Sequence, residues 1–487
     1  MGRMADTDGD RGAQTSRPRR ARIVCTLGPA TATLEKIVEL VQAGMDVARL
    51  NMSHGSWDLH QLLFDRVREA ESVTGLPVAI MADLQGPKIR LGTILGDRTM
   101  LEDGARFILD CDPTPGTAER ASTSHATLAE DVREGDTLYI DDGRIELAVA
   151  SVGECSVVTT VVVGGEISNR KGVNLPSARL KLPVLNDKDR LDLERALGAG
   201  ADWIALSFVR AARDAEILRE CMRHIGIMRP LVAKIETPQA VEDLEEIVEA
   251  FNAVMVARGD LGLETPIEKL PAVQRRAIDL ARDLGRPAIV ATQMLDSMVT
   301  EPTPTRAEVS DVATAIIDGA DALMLSAETS VGRFPIRSVR QMCRIIEATE
   351  AEPRRHPFSI ASTPQTFDSL AKAAINLAEE LKASALCVFT SSGQAVRSLA
   401  RHRAAVPLLA LTPRPEVVRS LSLTWGVEAI YVPMIDTMDQ MIALAEKELS
   451  RSGRFRPGEK IILLAGSQMG VDQQTNLLRI LETKSEI

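Results

Sequence analysis

The sequence predicts an α/β protein built on a (β/α)8 TIM barrel, with a small β-barrel lid domain inserted into it and a C-terminal α/β domain after it. Eight short apolar runs, among them "RIVCTLG" and "LVAKIE", alternate with amphipathic helical patterns between residues 21 and 354. Near-continuous apolar strands that alternate with helices are typical of a parallel sheet covered by helices. Eight such units favour a closed barrel, and an open doubly wound sheet is the main structural alternative.

The third unit of this barrel is interrupted. Between residues 88 and 174 the helical period disappears, and β-rich stretches such as "TLYIDD" and "SVVTTVVVGG" are separated by Gly and Asp turns. This pattern predicts a small β domain over residues 88–174, inserted between the barrel segments 21–87 and 175–354. Gly86 and Pro87 are the predicted hinge. A domain in this position would overhang the mouth of the barrel and act as a lid.

Two further segments flank the barrel. Pro353 and Pro357 mark a boundary, after which an α/β rhythm restarts, so we expect a separate domain over residues 355–487. Residues 1–20 are polar and lack the apolar region of a signal peptide, which predicts a disordered leader.

Composition excludes several classes of protein. A net charge of −11 argues against a general nucleic-acid binder. No apolar run approaches the roughly 18 residues that a membrane span needs. The six cysteines are scattered without a C-x-x-C pair, which favours reduced thiols in a cytoplasm over a disulfide framework or a zinc site. We therefore expect a cytoplasmic protein with no nucleic-acid or membrane partner.

Polar side chains gather at the predicted carboxyl ends of the strands, where barrels of this kind carry their chemistry. Because strand side chains alternate between faces, residues two apart point the same way. Taken singly, each of these residues is also explained as a helix cap, a turn or an ion pair. Their coincidence favours function, because a packed barrel tolerates unused charge poorly. The candidates are Arg49, Asn51, Ser53, Asp83, Lys234, Glu236, Arg258, Asp260, Thr292 and Ser326.

Two of these candidates suit a divalent metal. Glu236 and Asp260 follow adjacent strands and form a typical pair of carboxylates for Mg²⁺ or Mn²⁺. Arg49 and Lys234 supply positive charge beside them. Carboxylates, a hard metal and two cations suit a phosphorylated or carboxylated substrate that develops oxyanion charge. Walker A, HRD and DFG patterns are absent from the sequence.

The chain resembles the pyruvate kinase family from residue 21 to about residue 350. The resemblance rests on the segments "ARLNMSHG", "DLQGPKIR", "KGVNLP", "AKIETPQAVEDLEEI", "VMVARGDLG", "IVATQML" and "LMLSAETSVGRFP". It implies a glycolytic kinase that transfers the phosphoryl group of phosphoenolpyruvate to ADP, giving pyruvate and ATP.

The resemblance also implies roles for single residues around the substrate. Arg49 would hold the transferring phosphoryl group, and Lys234 would neutralise charge on that group and on the enolate. The Gly259 backbone and the Thr292 hydroxyl would hold the substrate carboxylate, and Thr292 lies where the enolate is protonated. Asp260 and Glu236 would ligate Mg²⁺. The implied nucleotide contacts are Asn51, His54, Arg90 and Lys171.

One part of the pattern departs from potassium-dependent members of the family. Their monovalent cation lies near the matches of Asn51, Ser53, Asp83 and Leu84. This chain carries Leu84, Gln85, Lys88 and Leu91 here, which resembles the potassium-independent, bacterial-like type. Because an ammonium is a compact point charge, we expect Lys88 to replace the potassium ion, so that K⁺ is not required. The alternative is that Lys88 points to solvent and K⁺ still binds.

Other interpretations stay open. The segment "FTSSGQAVRSLARHR", residues 389–403, is either a phosphate cradle or an ordinary strand-to-helix turn. The family places sugar-phosphate effectors at the matching loop, which implies a sugar-phosphate or nucleotide effector, and it also implies a homotetramer. A magnesium-dependent lyase acting on pyruvate-like substrates is the alternative enzyme. A catalytically inactive relative would be expected to lack Lys234 or a metal carboxylate, and this chain keeps both.

Overall fold

The computed structural model describes residues 17–176, 182–352, 366–435, 437–451, 454–466 and 475–483. Its strands are β1 (Arg22–Thr26), β2 (Val47–Asn51), β3 (Ala79–Leu84), β4 (Ile89–Arg90), β5 (Arg98–Leu101), β6 (Arg106–Asp110), β7 (Arg120–Ser122), β8 (Thr137–Ile140), β9 (Ile145–Val152), β10 (Ser156–Val163), β11 (Gly165–Ser168), β12 (Gly172–Asn174), β13 (Trp203–Leu206), β14 (Leu231–Ile235), β15 (Ala253–Ala257), β16 (Ala288–Ala291), β17 (Ala322–Leu325), β18 (Ala385–Phe389), β19 (Leu408–Thr412), β20 (Val427–Tyr431), β21 (Lys460–Gly466) and β22 (Thr475–Glu482).

The helices begin where the sequence offers caps. Ser56 accepts the Leu59 N–H at the start of α2, and Asn186 and Thr305 form capping boxes at α4 and α10. None of the helices within the described ranges has the length and apolar character that a membrane crossing requires. The helices are α1 (Leu34–Ala43), α2 (Trp57–Thr74), α3 (Leu128–Asp131), α4 (Asp187–Gly198), α5 (Arg213–Ile225), α6 (Pro238–Glu242), α7 (Leu244–Ala250), α8 (Arg258–Glu264), α9 (Leu270–Asp283), α10 (Arg306–Asp318), α11 (Ala327–Ser330), α12 (Pro335–Ala351), α13 (Thr366–Glu380), α14 (Gln394–Ala400), α15 (Pro415–Leu421) and α16 (Met438–Arg451).

Eight parallel strands close into a barrel in the order β1-β17-β16-β15-β14-β13-β3-β2. Side chains of alternate strand residues, among them Met81, Trp203 and Met255, fill its interior. The other strand faces pack against the surrounding helices in a second, larger core. The predicted (β/α)8 barrel is thus confirmed, and the open doubly wound alternative is wrong, because β1 pairs with both β2 and β17.

The insertion between β3 and α4, residues 88–174, is called the lid domain below. Seven of its strands form one sheet in the order β4-β12-β8-β9-β10-β6-β7, and β5 pairs with β11. The two edge strands meet through a bridge between Leu91 and Thr123, and the Arg90 N–H donates to Ser124 Oγ at 2.9 Å. The sheet therefore curls into the expected small barrel, around a core of its own that includes Phe107.

The C-terminal domain is a five-stranded sheet in the order β20-β19-β18-β21-β22, parallel except for β22. The predicted boundary at residue 355 lies outside the described residues, as do residues 1–16 of the predicted leader. The sequence assigns Arg17, Arg19 and Arg20 to that leader; the side chains of Arg17 and Arg19 pack against the barrel, and that of Arg20 contacts the C-terminal domain. Arg19 is 3% exposed and donates to the Gly44 carbonyl, because the buried carboxylate of Asp46 attracts cations.

Candidate active site

A buried network of four charged side chains lies at the carboxyl ends of β2, β3 and β14. Arg49 Nε donates to Asp83 Oδ2 at 2.7 Å. Lys234 Nζ lies 2.8 Å from Glu236 Oε1 and 3.5 Å from Asp83 Oδ1. Each of the four residues is at most 8% exposed. Two cations and two carboxylates neutralise one another, which is the condition for burying charge.

Strand register brings these residues together. Asn51 of β2 stands opposite Asp83 of β3, and the alternation of side chains along β2 turns Arg49 to the same face as Asn51. Along β14 the same alternation aligns Lys234 with Glu236. Parallel strands end at the same rim of a barrel, so residues far apart in sequence meet there.

The network shifts the titration of its members. Burial alone would raise the pKa of Asp83, but the cations Lys234 and Arg49 outweigh it and hold that pKa below its usual value. Burial would lower the pKa of Lys234, but Asp83 and Glu236 raise it. Burial raises the pKa of Glu236, against the opposing effect of Lys234. Glu236 is therefore the carboxylate whose charge is least compensated.

The metal carboxylates fit a divalent cation. Asp260 stands in the first turn of α8, directly after β15, and its Oδ1 lies 3.0 Å from Lys88 Nζ. Its negative charge adds to the effect of burial in raising the pKa of Glu236. Glu236 Oε1 is buried and accepts no hydrogen bond with favourable geometry. A hard cation would satisfy that oxygen, and Mg²⁺ needs only one or two protein carboxylates. The described residues contain no cluster of three or more metal-binding side chains.

Thr292 has a strained backbone, with φ of +70°. A β-branched residue in this region costs free energy and is retained where the surroundings enforce it, often at functional sites. Here the Gly259 N–H donates to Thr292 Oγ1 at 2.8 Å, and Arg258 Nη2 donates to the Thr292 carbonyl at 2.8 Å. Arg258 is thus a positioning residue. Ser326 stands at the N-cap position of α11, but its hydroxyl makes no capping hydrogen bond and is buried without a partner among the described residues; only its backbone N–H is bonded, to Glu328 at 2.7 Å.

The four nucleotide candidates are only partly assembled. Asn51 Oδ1 accepts the Ser53 N–H at 3.1 Å, which closes a turn. Partial burial lowers the pKa of His54, and the positive charges of Arg90 and Lys88 lower it further. Lys171, in contrast, pairs with Asp141 of its own lid domain at 2.7 Å.

Lys88 pairs with a different carboxylate from the one at the predicted monovalent-cation position. The hypothesis placed its ammonium at the monovalent-cation position beside Asp83, Asn51, Ser53 and Leu84. The structure pairs it with Asp260, above the ring of Phe208. Asp83 is already neutralised by Arg49 and Lys234, which explains why it does not recruit a third cation.

Two residues that support the network were missed in the sequence. Ser207 Oγ accepts from Lys234 Nζ at 2.7 Å and donates to the Leu84 carbonyl at 2.8 Å. Thr26 Oγ1 accepts from Arg49 Nη1 at 3.0 Å. The signal was present, because each hydroxyl residue ends an apolar strand, "WIALS" and "RIVCT", as Thr292 does.

Comparison with known proteins decides the family. The family model described as "Pyruvate kinase, barrel domain" matches residues 18–339. The chain belongs to the pyruvate kinase family. The model "Pyruvate kinase, alpha/beta domain" matches residues 368–481, so the C-terminal domain belongs to the same family.

Individual relatives agree. A pyruvate kinase from Mycobacterium intracellulare is 48% identical over 463 residues, covering 95% of this chain and 98% of the relative. One from Corynebacterium efficiens is 46% identical, with 95% and 97% covered. The crystal structure of a pyruvate kinase from Cryptosporidium parvum superposes with a TM-score of 0.88 at 32% identity, covering 96% of both chains. The predicted pyruvate kinase enzyme is confirmed, and the lyase alternative is not supported.

Proposed function

We propose that the buried Arg49–Asp83–Lys234–Glu236 network is the centre at which this chain transfers a phosphoryl group from phosphoenolpyruvate to ADP. The observation that carries the proposal is Lys234, a lysine buried between two carboxylates at the mouth of the barrel. Phosphoryl transfer needs positioned positive charge more than covalent chemistry. A lysine whose pKa is raised by its neighbours keeps that charge throughout the reaction.

Each substrate group has a partner of suitable chemistry. Arg49 holds the phosphoryl group, and Lys234 neutralises that group and then the enolate oxygen as charge moves onto it. The Gly259 N–H and the Thr292 hydroxyl hold the carboxylate region. These two groups bond to each other at 2.8 Å, so an incoming carboxylate exchanges with that bond. Thr292 also stands beside the carbon that takes up a proton.

Glu236 and Asp260 would hold Mg²⁺ or Mn²⁺. Once bound, the metal would supply Lewis-acid stabilisation of substrate oxygens. Without it, the six charged side chains of the site, three cations and three carboxylates, sum to zero. An anionic substrate therefore needs additional positive charge. Lys88 pairs with the carboxylate of Asp260, one of the two residues that would hold the metal.

ADP lies between the barrel and the lid domain, in contact with Asn51, His54, Arg90 and Lys171. Gly86 is suited to the hinge, because its φ of +66° is open to glycine and an added Cβ would meet the Ser207 carbonyl at 2.5 Å. Closure about this hinge moves Arg90 and Lys171 with the lid domain. The Lys171–Asp141 pair is half-buried and remains open to solvent on its lysine side, so it is weak enough to exchange for phosphate oxygens.

A coupled assay of pyruvate formation tests the proposal. Pyruvate should appear only with phosphoenolpyruvate, ADP and Mg²⁺ or Mn²⁺ together. Glu236→Gln should raise the Mn²⁺ dissociation constant, measured by electron paramagnetic resonance of free Mn²⁺, at least tenfold. Glu39→Gln, on the surface, is the matched control. Formation of pyruvate without ADP, or unchanged Mn²⁺ binding in Glu236→Gln, contradicts the assignment.

The potassium hypothesis has its own test. The wild type should show equal activity with and without KCl, since Lys88 supplies the local positive charge. Lys88→Glu should become dependent on KCl, and Lys447→Glu, at an exposed lysine on α16 of the C-terminal domain, should not. A Lys88→Glu enzyme that gains no response to KCl refutes the replacement of K⁺ by Lys88.

Effector binding and assembly complete the proposal. The loop after β18 takes a sugar-phosphate or nucleotide effector, with the Arg397 guanidinium beside it. Burial lowers the pKa of Arg397 to about 10, and its Nη1 is a buried donor without a partner. The chain acts in the cytoplasm as a homotetramer. Sedimentation velocity at assay concentrations tests the tetramer, and calorimetric titration with sugar phosphates and nucleotides tests the loop.

A further inference from the structure

Two cysteines face each other at the surface of the lid domain. In the antiparallel pairing of β6 with β10, Asp110 stands opposite Ser156 at the end of the ladder. Cys111 follows Asp110 and Cys155 precedes Ser156, so one further step of the same register sets the two cysteines opposite each other. Both are exposed free thiols.

The register meets the geometric requirement of a disulfide. Directly opposite residues of an antiparallel pair have Cα atoms about 4.5 to 5.5 Å apart. Disulfides span Cα separations of about 4.4 to 6.8 Å. The neighbouring Cys111 thiol also raises the pKa of the Cys155 thiol.

Neighbouring bonds hold both cysteines in place. Arg120 Nε donates to the Asp110 carboxylate and Arg120 Nη2 to the Asp112 carbonyl, each at 2.7 Å, which clamps the chain on both sides of Cys111. On the other strand, the Gly153 N–H donates to the Ser156 carbonyl at 2.8 Å and closes the turn that contains Cys155. Because these bonds hold the segments that carry Cys111 and Cys155 beside each other, a reaction between the two thiols is intramolecular and fast.

The other four cysteines differ in their surroundings. All six lie within the described residues, and Cys25 and Cys387 are buried. Cys343 and Cys221 are half-buried, and Cys221 Sγ accepts from Arg190 at 3.1 Å. An oxidant in solvent therefore meets the exposed pair first.

We propose that Cys111 and Cys155 are a redox-active dithiol, which hydrogen peroxide converts to an intramolecular disulfide. One thiolate attacks a peroxide oxygen, so that an S–O bond forms, the O–O bond breaks and hydroxide leaves to become water. The second thiolate attacks the resulting sulfenic acid, so that the S–S bond forms, the S–O bond breaks and a second water is released. The two sulfur atoms lose two electrons, which the peroxide oxygens gain.

The disulfide has a defined structural consequence. It ties the end of β6 to the hairpin of β9 and β10, and a small dithiol reductant reverses it by exchange. Disulfides of intracellular proteins are commonly transient and redox-sensing, in keeping with an exposed pair. The inference does not depend on the chemistry proposed at the barrel mouth.

Intact-mass and peptide analysis of the oxidised full chain tests the proposal. After treatment of the reduced protein with a small excess of hydrogen peroxide at mildly alkaline pH, the intact mass should fall by two hydrogen atoms. Trypsin without reductant should release residues 107–120 joined to residues 145–170, and dithiothreitol should separate them. The lid domain should also become more resistant to thermal unfolding in the oxidised chain.

Single variants separate this outcome from non-specific oxidation. In Cys111→Ser the remaining Cys155 should be trapped by dimedone as sulfenic acid, with no joined peptide, and Cys155→Ser should behave in the mirror-image way. Cys221→Ser should oxidise like the wild type. A wild-type chain that accumulates sulfenic or sulfinic acid without the joined peptide overturns the proposal, as does a disulfide-linked dimer.

Discussion

The two ends of the barrel carry the same kinds of charged pair and use them differently. At the amino end, Asp46, Asp202 and Asp321 each stand immediately before a strand, β2, β13 and β17. Each is paired with at least one arginine. Each also accepts a backbone N–H of a neighbouring strand, from Ile23 at 2.7 Å, Ile80 at 2.8 Å and Ala288 at 3.1 Å.

At the mouth the carboxylates are paired with cationic side chains. Anionic substrates can compete with the carboxylates for these cations. Glu236 Oε1 has an ion pair with Lys234 but no well-formed hydrogen bond, and Asp260 is paired with Lys88 of the lid domain. The three carboxylates of the amino end are satisfied by arginines and backbone N–H groups, whereas at the mouth Glu236 Oε1 lacks a well-formed hydrogen bond. Charge pairing alone therefore does not distinguish the two ends of the barrel; the hydrogen bonding of their carboxylate oxygens does.

The amino end also joins two domains. Arg403 and Arg419 of the C-terminal domain reach Asp321 at 3.0 Å and Asp202 at 2.8 Å. The Trp425 N–H donates to the same Asp321 at 3.1 Å. These pairs fasten the C-terminal domain to the floor of the barrel, far along the strands from the charged network at the mouth.

The largest effect should come from Lys234→Met, which removes the central cation of the mouth. Loss of one preorganised charge contact lowers kcat by about 100- to 1,000-fold, because transition-state charge is left unneutralised. Steady-state kinetics measure it, with Lys36→Met in the exposed Lys36–Glu39 pair as the control. Activity above a tenth of wild type would show that Lys234 is structural.

Arg403→Met should weaken the amino end of the barrel and leave the charged network at its mouth unchanged. The buried Asp321 loses its cation, which costs about 3 kcal/mol of stability. Chemical denaturation should show the loss, while kcat of the folded enzyme stays within about twofold of wild type, because the change lies far from the transferring group. A fall in kcat comparable to that of Lys234→Met would remove the distinction between the two ends.

Glu264→Gln should change how the stability of the protein depends on pH. Glu264 lines a pocket between the barrel and the lid domain and accepts from Asn174 Nδ2 at 2.8 Å. Burial raises its pKa to about 7. Since the folded-state pKa exceeds the ordinary 4.5, its stabilising contribution is complete below pH 4.5 and is lost as pH rises through about 7.

The wild type should therefore lose about 3 kcal/mol of stability relative to Glu264→Gln between pH 4.5 and 7.5. Thermal unfolding of both chains across that range measures the difference. Parallel curves would mean that Glu264 titrates normally and that the pocket is open to water.

Arg419→Met should have the smallest effect, about 1 kcal/mol, because Asp202 keeps a second cation. Arg68 Nη2 lies 2.6 Å from the same carboxylate, and the Ile80 N–H still donates to it. Urea denaturation compares it with Arg403→Met. Equal losses of unfolding free energy in the two variants would show that Arg68 does not compensate for the loss of Arg419 at Asp202.

Much of the fold could be predicted from the sequence. Apolar strands that alternate with amphipathic helices indicate a parallel sheet covered by helices, even when the pairing of the strands is unknown. The residues at the mouth could also be predicted, since a charged residue at the end of an apolar strand stands out in the sequence pattern. The floor was overlooked although "GMD", "GAD" and "GAD" precede three strands at Asp46, Asp202 and Asp321. A short Gly-x-Asp motif before a strand is interpreted as a turn unless the arginine that pairs with its aspartate is known.

The sequence by itself determined the order of elements, the rim on which the charged residues stand and the family to which the chain belongs. Only the tertiary structure decided which charges meet. Lys88 pairs with Asp260 rather than with Asp83, and Asp321 with Arg403, although each pair is far apart along the chain. Ion pairs of this range depend on barrel closure and on how neighbouring domains dock, and no local sequence preference encodes either.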